Sequence, residues 1–133
     1  MDRFQWREAF RVGDGVVDEQ HKRLFSLLAG LYQDIHSQQA QLAVQVALQE
    51  LVDYTQHHFA DEEALMRSID YPEYASHKAL HDGLMAQVGE MHARCQSGLE
   101  DMSIELLEFL SAWLTQHILE HDRAVGRFLR TRE

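Results

Sequence analysis

Residues 117–122 read HILEHD, two histidines and two acids within a turn and a half of helix. Imidazole and carboxylate are metal-ligating groups, and three sites can be drawn through this stretch. His117, Glu120 and His121 spell H-x-x-E-H, the pattern of the inverted zinc proteases. His117 and His121 also form a plain i, i+4 pair, and His117 with Asp122 is a third choice. The protease pattern fails, because it needs a further acidic ligand well downstream and only Glu133 follows. Periodicity carries an inner face from Leu114 through His117 to His121, whereas Asp122 lies about 140° from His117 on an ideal helix. On spacing alone both remaining readings stay open.

The chain holds nine histidines, and their placement becomes legible once the elements that carry them are drawn. Four long segments show helical periodicity. The first runs through His21, Leu24, Leu28, Leu31 and Ile35. The second runs through Val44, Leu48, Leu51, Thr55, His58, Glu62 and Leu65. His77, His81, Leu84, Val88, Met91 and Cys95 form the third, and Leu107, Leu110, Leu114 and His117 the fourth. Each is the buried seam of an amphipathic helix. Punctuation falls at Ser37–Ala40, at Asp70-Tyr71-Pro72, where Pro72 suits a first helical turn, and at Ser97-Gly98.

The predicted fold is therefore all-α: an up-down-up-down antiparallel four-helix bundle with short connections. A single domain is expected over 1–133, with an N-terminal arm over 1–17 and helices over 18–38, 41–68, 72–96 and 101–120. A short C-terminal helical extension follows over 122–130. His21 opens the first helix and His58 and Glu62 close the second, while His77 and His81 open the third and His117 comes late in the fourth. Antiparallel packing brings all of them to one end of the core, and the other end is aliphatic. Five imidazoles and a carboxylate on inner faces each need a partner, and a metal accepts every lone pair at once. His57, His36 and His92 fall off these faces or too far along them, and are expected on the surface or at the far end.

Composition narrows the function classes. Twelve basic against 22 acidic residues give a net charge of −10, which argues against nucleic acid or an anionic membrane as partner. No apolar run is long enough to span a membrane, and MDRFQWREAF is no signal peptide. Cys95 has no second cysteine to pair with, so a reducing, cytoplasmic setting is the expectation.

Five histidines exceed the needs of one zinc ion, so two metals are implied, with carboxylates as bridges. Glu-x-x-His, the usual motif of ferritin-like di-metal bundles, occurs nowhere in the chain. The site is richer in histidine than those. At this point the residues resemble the hemerythrin family, specifically the bacterial hemerythrin-like proteins. The likeness runs from the arm with Trp6 and DEQHKRLF (18–25) through HHFADEEALM (57–66) and HKALH (77–81) to WLTQHILEHD (113–122).

Carried over position by position, the resemblance implies two iron ions (Fe2+/Fe3+) with a bridging oxo or hydroxo group. His77, His81 and His117 would hold one iron, His21 and His58 the other, with Glu62 and Asp122 bridging. One coordination position stays open on the two-histidine iron, where the family binds O2. Leu24, Phe59, Trp113, Leu114 and Ile118 flank the ligands and are candidates for a dry O2 pocket. Favouring Asp122 in this way makes a demand on geometry: the helix must end or take a π-type turn between His117 and Asp122, and Val125 and Leu129 must restart the seam one residue out of step.

The expected function is reversible O2 binding by a carrier, store or supplier, and not catalysis. A sensor of O2 or redox state acting on a signalling partner, or a di-iron enzyme acting on peroxide or nitric oxide, are the alternatives. An oxygen-accepting protein is another possible partner. The chain ends at FLRTRE with no output domain, which favours a stand-alone binder.

Overall fold

Asp14 ends the N-terminal arm and starts the first helix, its carboxylate accepting from the Val17 N–H at 3.0 Å. This cap satisfies a free donor of the first turn and begins the helix at Gly15, ahead of the expected 18. The computed structural model describes residues 4–37, 41–97 and 103–132. The helices are α1 (Gly15–His36), α2 (Gln41–Ser68), α3 (Tyr74–Ser97), α4 (Ser103–His117) and α5 (Arg123–Thr131). A π-helical turn, Ile118–Asp122, joins α4 to α5. No strand occurs among the described residues. The expected breaks at Gln38–Ala40 and Gly98, and the expected start of the fourth helix at 101, lie outside the described residues.

α1 packs on α2 and α4, and α3 packs on the same two, so the four helices close a square antiparallel bundle. Its core is the set of seams read from the sequence. Leu24, Leu28 and Leu31 meet Leu48 and Leu51, Leu84 and Val88, and Leu107, Leu110 and Leu114, all buried. Ile35, Leu65 and Met91 are only half-buried. Leu65 belongs instead to a second, smaller cluster with Met66, Ile69, Val125, Tyr71, Tyr74, Phe128 and Leu129. That cluster lies beyond the histidines and closes their end of the bundle.

The α2–α3 connection is specified locally. The Tyr71 N–H donates to Met66 O at 3.0 Å and the Asp70 N–H to Arg67 O at 3.2 Å, a Schellman closure. Asp70 takes the left-handed position it requires, at φ 53°, which aspartate tolerates better than most residues. Pro72 sits in the following turn, closed by the Tyr74 N–H to Tyr71 O at 3.2 Å. α3 therefore begins at Tyr74, two residues after the expected 72, and Pro72 precedes it.

The arm is tied to both ends of the chain. Buried Asp18 accepts from Val12 N–H at 2.7 Å and Gly13 N–H at 3.2 Å, and Gly13 has a positive φ of 110°. On the other side α5 crosses the arm at Gly126, where a Cβ would overlap the Val12 carbonyl. Only glycine permits that approach.

Candidate metal centre

Two donor groups meet at the closed end of the core. Glu62, His77, His81, His117 and Asp122 form one, and His21, His58, Glu62 and Asp122 the other. All seven residues are at most 3% exposed. The two carboxylates are common to both groups. Facing the first group, Glu62 Oε1 lies 3.0 Å from His77 Nε2 and 3.1 Å from His81 Nε2. Asp122 Oδ1 is 3.0 Å from both His77 and His117 Nε2. Their other oxygens face the second group: Asp122 Oδ2 is 3.0 Å from His21 Nε2, and Glu62 Oε2 is 3.2 Å from His58 Nε2 and 3.6 Å from His21 Nε2.

These spacings are those of ligands around a common ion. Donors about 2.1 Å from an octahedral centre lie about 3.0 Å apart when adjacent and about 4.2 Å when opposite. His117 Nε2 is 3.0 Å from the Nε2 atoms of both His77 and His81, but 3.9 Å from Glu62 Oε1. His117 and Glu62 thus stand roughly opposite, with the others adjacent to them. Hydrogen bonding does not account for the arrangement. Glu62 Oε2, Asp122 Oδ1 and His21 Nε2 are buried at contact distance from the cluster yet have no hydrogen-bond partner. Leaving such groups unmet is costly, and cations shared between the two groups meet them all. The donor set fits a two-metal centre.

The electrostatics agree. Burial alone pushes the His21 and His77 imidazoliums down, but the Asp122 and Glu62 carboxylates more than reverse this and raise both to about 9. His117 is raised in the same way. Burial pushes Glu62 up, and the surrounding histidines overcome it, holding this carboxyl well below its usual range. Asp122 is likewise held low by His117 and His21, against burial and repulsion from Glu62. The two low-pKa carboxylates thus favour positive charge at the centre of the cluster, which a bound cation would supply in place of the histidine protons.

The π-helical turn decides among the readings of HILEHD. Backbone on either side is ordinary helix, with φ, ψ of −61°, −44° at His117 and −65°, −30° at Arg123, whose N–H donates to Ile118 O. That i→i+5 bond adds a residue to the turn and swings Asp122 beneath His117. It turns His121 outward, its side chain 44% exposed, and Val125 returns to the interior. His121 lines a cavity of about 160 Å³ with Leu80, Trp113, Gln116 and His117. Burial and repulsion from His117 and His77 lower its pKa.

A sequence profile described as "Hemerythrin HHE cation binding domain" matches residues 12–129. The chain belongs to the hemerythrin family. It is 41% identical to a bacteriohemerythrin of Stenotrophomonas maltophilia over 119 residues, 90% of this chain and 76% of that one. A Pseudomonas aeruginosa bacteriohemerythrin is 37% identical over 122 residues, 92% of this chain and 78% of that one. A crystal structure of wild-type hemerythrin superposes with a TM-score of 0.86 at 28% identity, covering 94% of this chain and 96% of the other. The four-helix bundle is thus the hemerythrin bundle.

Around this hemerythrin centre, Phe59 stacks on His81 with ring centroids 3.8 Å apart, and Trp113 stacks on His117 at 4.4 Å. Both rings therefore touch the three-histidine group. Leu24, Leu114 and Ile118 are buried in the main core with Phe59. Of the remaining histidines, His57 and His36 are exposed, and His92 is buried in the bundle outside both donor groups. Two residues beside the ligands escaped the sequence reading, Gln20 and Glu63. The His58 Nδ1–H donates to Gln20 Oε1 at 2.7 Å and the His81 Nδ1–H to Glu63 Oε2 at 2.9 Å. Their signal was available: each adjoins a ligand, and ligating histidines generally donate their second N–H to such a group.

Proposed function

We propose that the chain binds O2 reversibly at a non-haem di-iron centre, as an oxygen carrier, store or supplier. The observation that carries this reading is the inequality of two donor groups sharing Glu62 and Asp122, with three imidazoles on one side and two on the other. Two octahedral ions offer twelve positions. Five histidines would take five, two bridging carboxylates four and a bridging oxo or hydroxo oxygen two, which would leave one open on the His21/His58 side.

Iron held by these residues would supply the two-electron exchange with O2. The residues of the chain make that exchange reversible. Five neutral imidazoles against two carboxylates stabilise high iron charge less than a carboxylate-rich set does. Leu24, Phe59, Leu114 and Ile118 exclude water around the ligands, which slows proton entry, and Trp113 covers His117. The buried Thr55 hydroxyl donates to Leu51 O at 2.8 Å, and Tyr54 lines an outer groove of α2 with Val46 and His57. Neither is poised to protonate bound oxygen and drive O–O cleavage. Bacteriohemerythrins over most of the chain's length support the same reading.

Purging tests it. Iron-loaded, reduced protein exposed to O2 and then swept with inert gas should return to its starting absorption through repeated cycles. Stepwise, irreversible oxidation at every exposure, or turnover of peroxide or nitric oxide at rates exceeding O2 release, would contradict it.

A further inference from the structure

The second ring nitrogens of the ligands treat the two donor groups differently. A carboxylate oxygen can only accept, so Glu63 fixes the proton of His81 on Nδ1 and leaves the Nε2 lone pair facing the cluster. The Gln20 amide oxygen does the same for His58. The two acceptors differ in charge. Glu63 is an anion whose side chain is only 14% exposed, so solvent screens it weakly. Gln20 is neutral, and its own amide N–H donates to Asp61 Oδ2 at 2.7 Å, which keeps its oxygen turned towards His58. Asp61, the carboxylate that Gln20 meets, is a link further out and 45% exposed. Among the described residues His21 Nδ1 and His117 Nδ1 have no hydrogen-bond partner, and His81 and His58 carry outer hydrogen bonds, one in each group and to different acceptors.

We infer that Glu63 and Gln20 are positioning residues that set the two metal positions apart. An anionic acceptor makes an imidazole a stronger donor than a neutral one does. Glu63 thereby tightens the His77/His81/His117 position, while Gln20 orients His58 without strengthening it. The metal on the three-histidine side binds first and leaves last, and the position with the open coordination site remains the looser one. This rests on the two-metal reading of the site, and adds to it an order of filling that the ligands alone do not fix.

Titration of metal-stripped protein with Co2+, followed by the cobalt absorption bands and by calorimetry, tests it. Wild type should bind two ions per chain in two steps. Glu63→Gln keeps an acceptor and removes the charge; it should weaken the first step about tenfold and leave the second unchanged. Glu63→Asp, which retains the charge, should restore part of the loss. Gln20→Glu combined with Asp61→Asn, so that the new carboxylate meets an amide instead of another acid, should tighten the second step by a similar factor. Glu19→Gln, a charge loss at an exposed surface residue, should change neither step. A first step in Glu63→Gln within twofold of wild type, or both steps falling together, would overturn the inference while leaving two metals bound. Wild type binding fewer than two ions would overturn the two-metal reading itself.

Discussion

At the residue scale, the histidines divide by what their second nitrogen and their burial allow. His77 Nε2 lies 3.0 Å from His117 Nε2, which lies 3.0 Å from His81 Nε2 as well, and all three residues are buried. His57 is exposed, 3.4 Å from Asp61, and belongs to neither donor group. His77→Ala should therefore lose most of its iron by metal analysis, and His57→Ala should keep it. The titration of the cluster gives a second test. The pKa values of His21 and His77 are raised from 6.5 to about 9, so in metal-stripped protein their pairing with Glu62 and Asp122 stabilises the fold fully below about pH 6.5. That contribution fades as pH rises through 9. The carboxylates, held low, contribute above about 4.5 and lose their effect only in acid. Melting of metal-stripped protein should accordingly fall between pH 6.5 and 9. Metal-loaded protein should show the opposite trend over the lower part of that range, because protons no longer compete for Nε2.

At the element scale, four helices and their inner faces were legible because apolar residues recur at helical spacing, and because His21, His58, His77 and His117 fall on the same seams as the leucines. Where each helix begins was less legible. Caps and turns decide boundaries, and the Asp14 cap and the Asp70 Schellman closure lie outside the periodic pattern. The π-helical turn is a further departure from helical periodicity. Periodicity pointed to His121, and only the resemblance pointed to Asp122. Their conflict required an extra residue in the turn, which is what Ile118–Asp122 contains. The crossing of α5 over the arm left no trace in the pattern, since a glycine in a helix says nothing about what lies above it. It can be tested directly. Gly126→Ala forces the new methyl into the Val12 carbonyl and should cost about 1–3 kcal/mol of stability, with loosened metal binding through Asp122 one turn away. Gly83→Ala, on an exposed face of α3 with open space around it, should instead stabilise by about 0.5–1 kcal/mol. Thermal melts of the two variants make the comparison.

At the scale of the whole molecule, the bundle separates two tasks along its length. The aliphatic end, with Leu28, Leu31, Leu48 and Leu107 fully buried, supplies the stability that lets the other end hold seven polar side chains out of water. The smaller cluster of Met66, Ile69 and Val125 then seals the ligands from beyond. No helix among the described residues is long and apolar enough to cross a membrane, and the chain carries a net charge of −10. The sharing of Glu62 and Asp122 between two unequal donor groups was expected from the family resemblance alone, because spacing does not say which oxygen of each carboxylate faces which histidines. An O2 titration against measured iron content probes that sharing. Reduced, iron-loaded protein should gain its visible and near-ultraviolet bands to a sharp end-point at one O2 for every two irons, with two irons per chain. An end-point of one O2 per iron, or one zinc per chain and no iron, would contradict it.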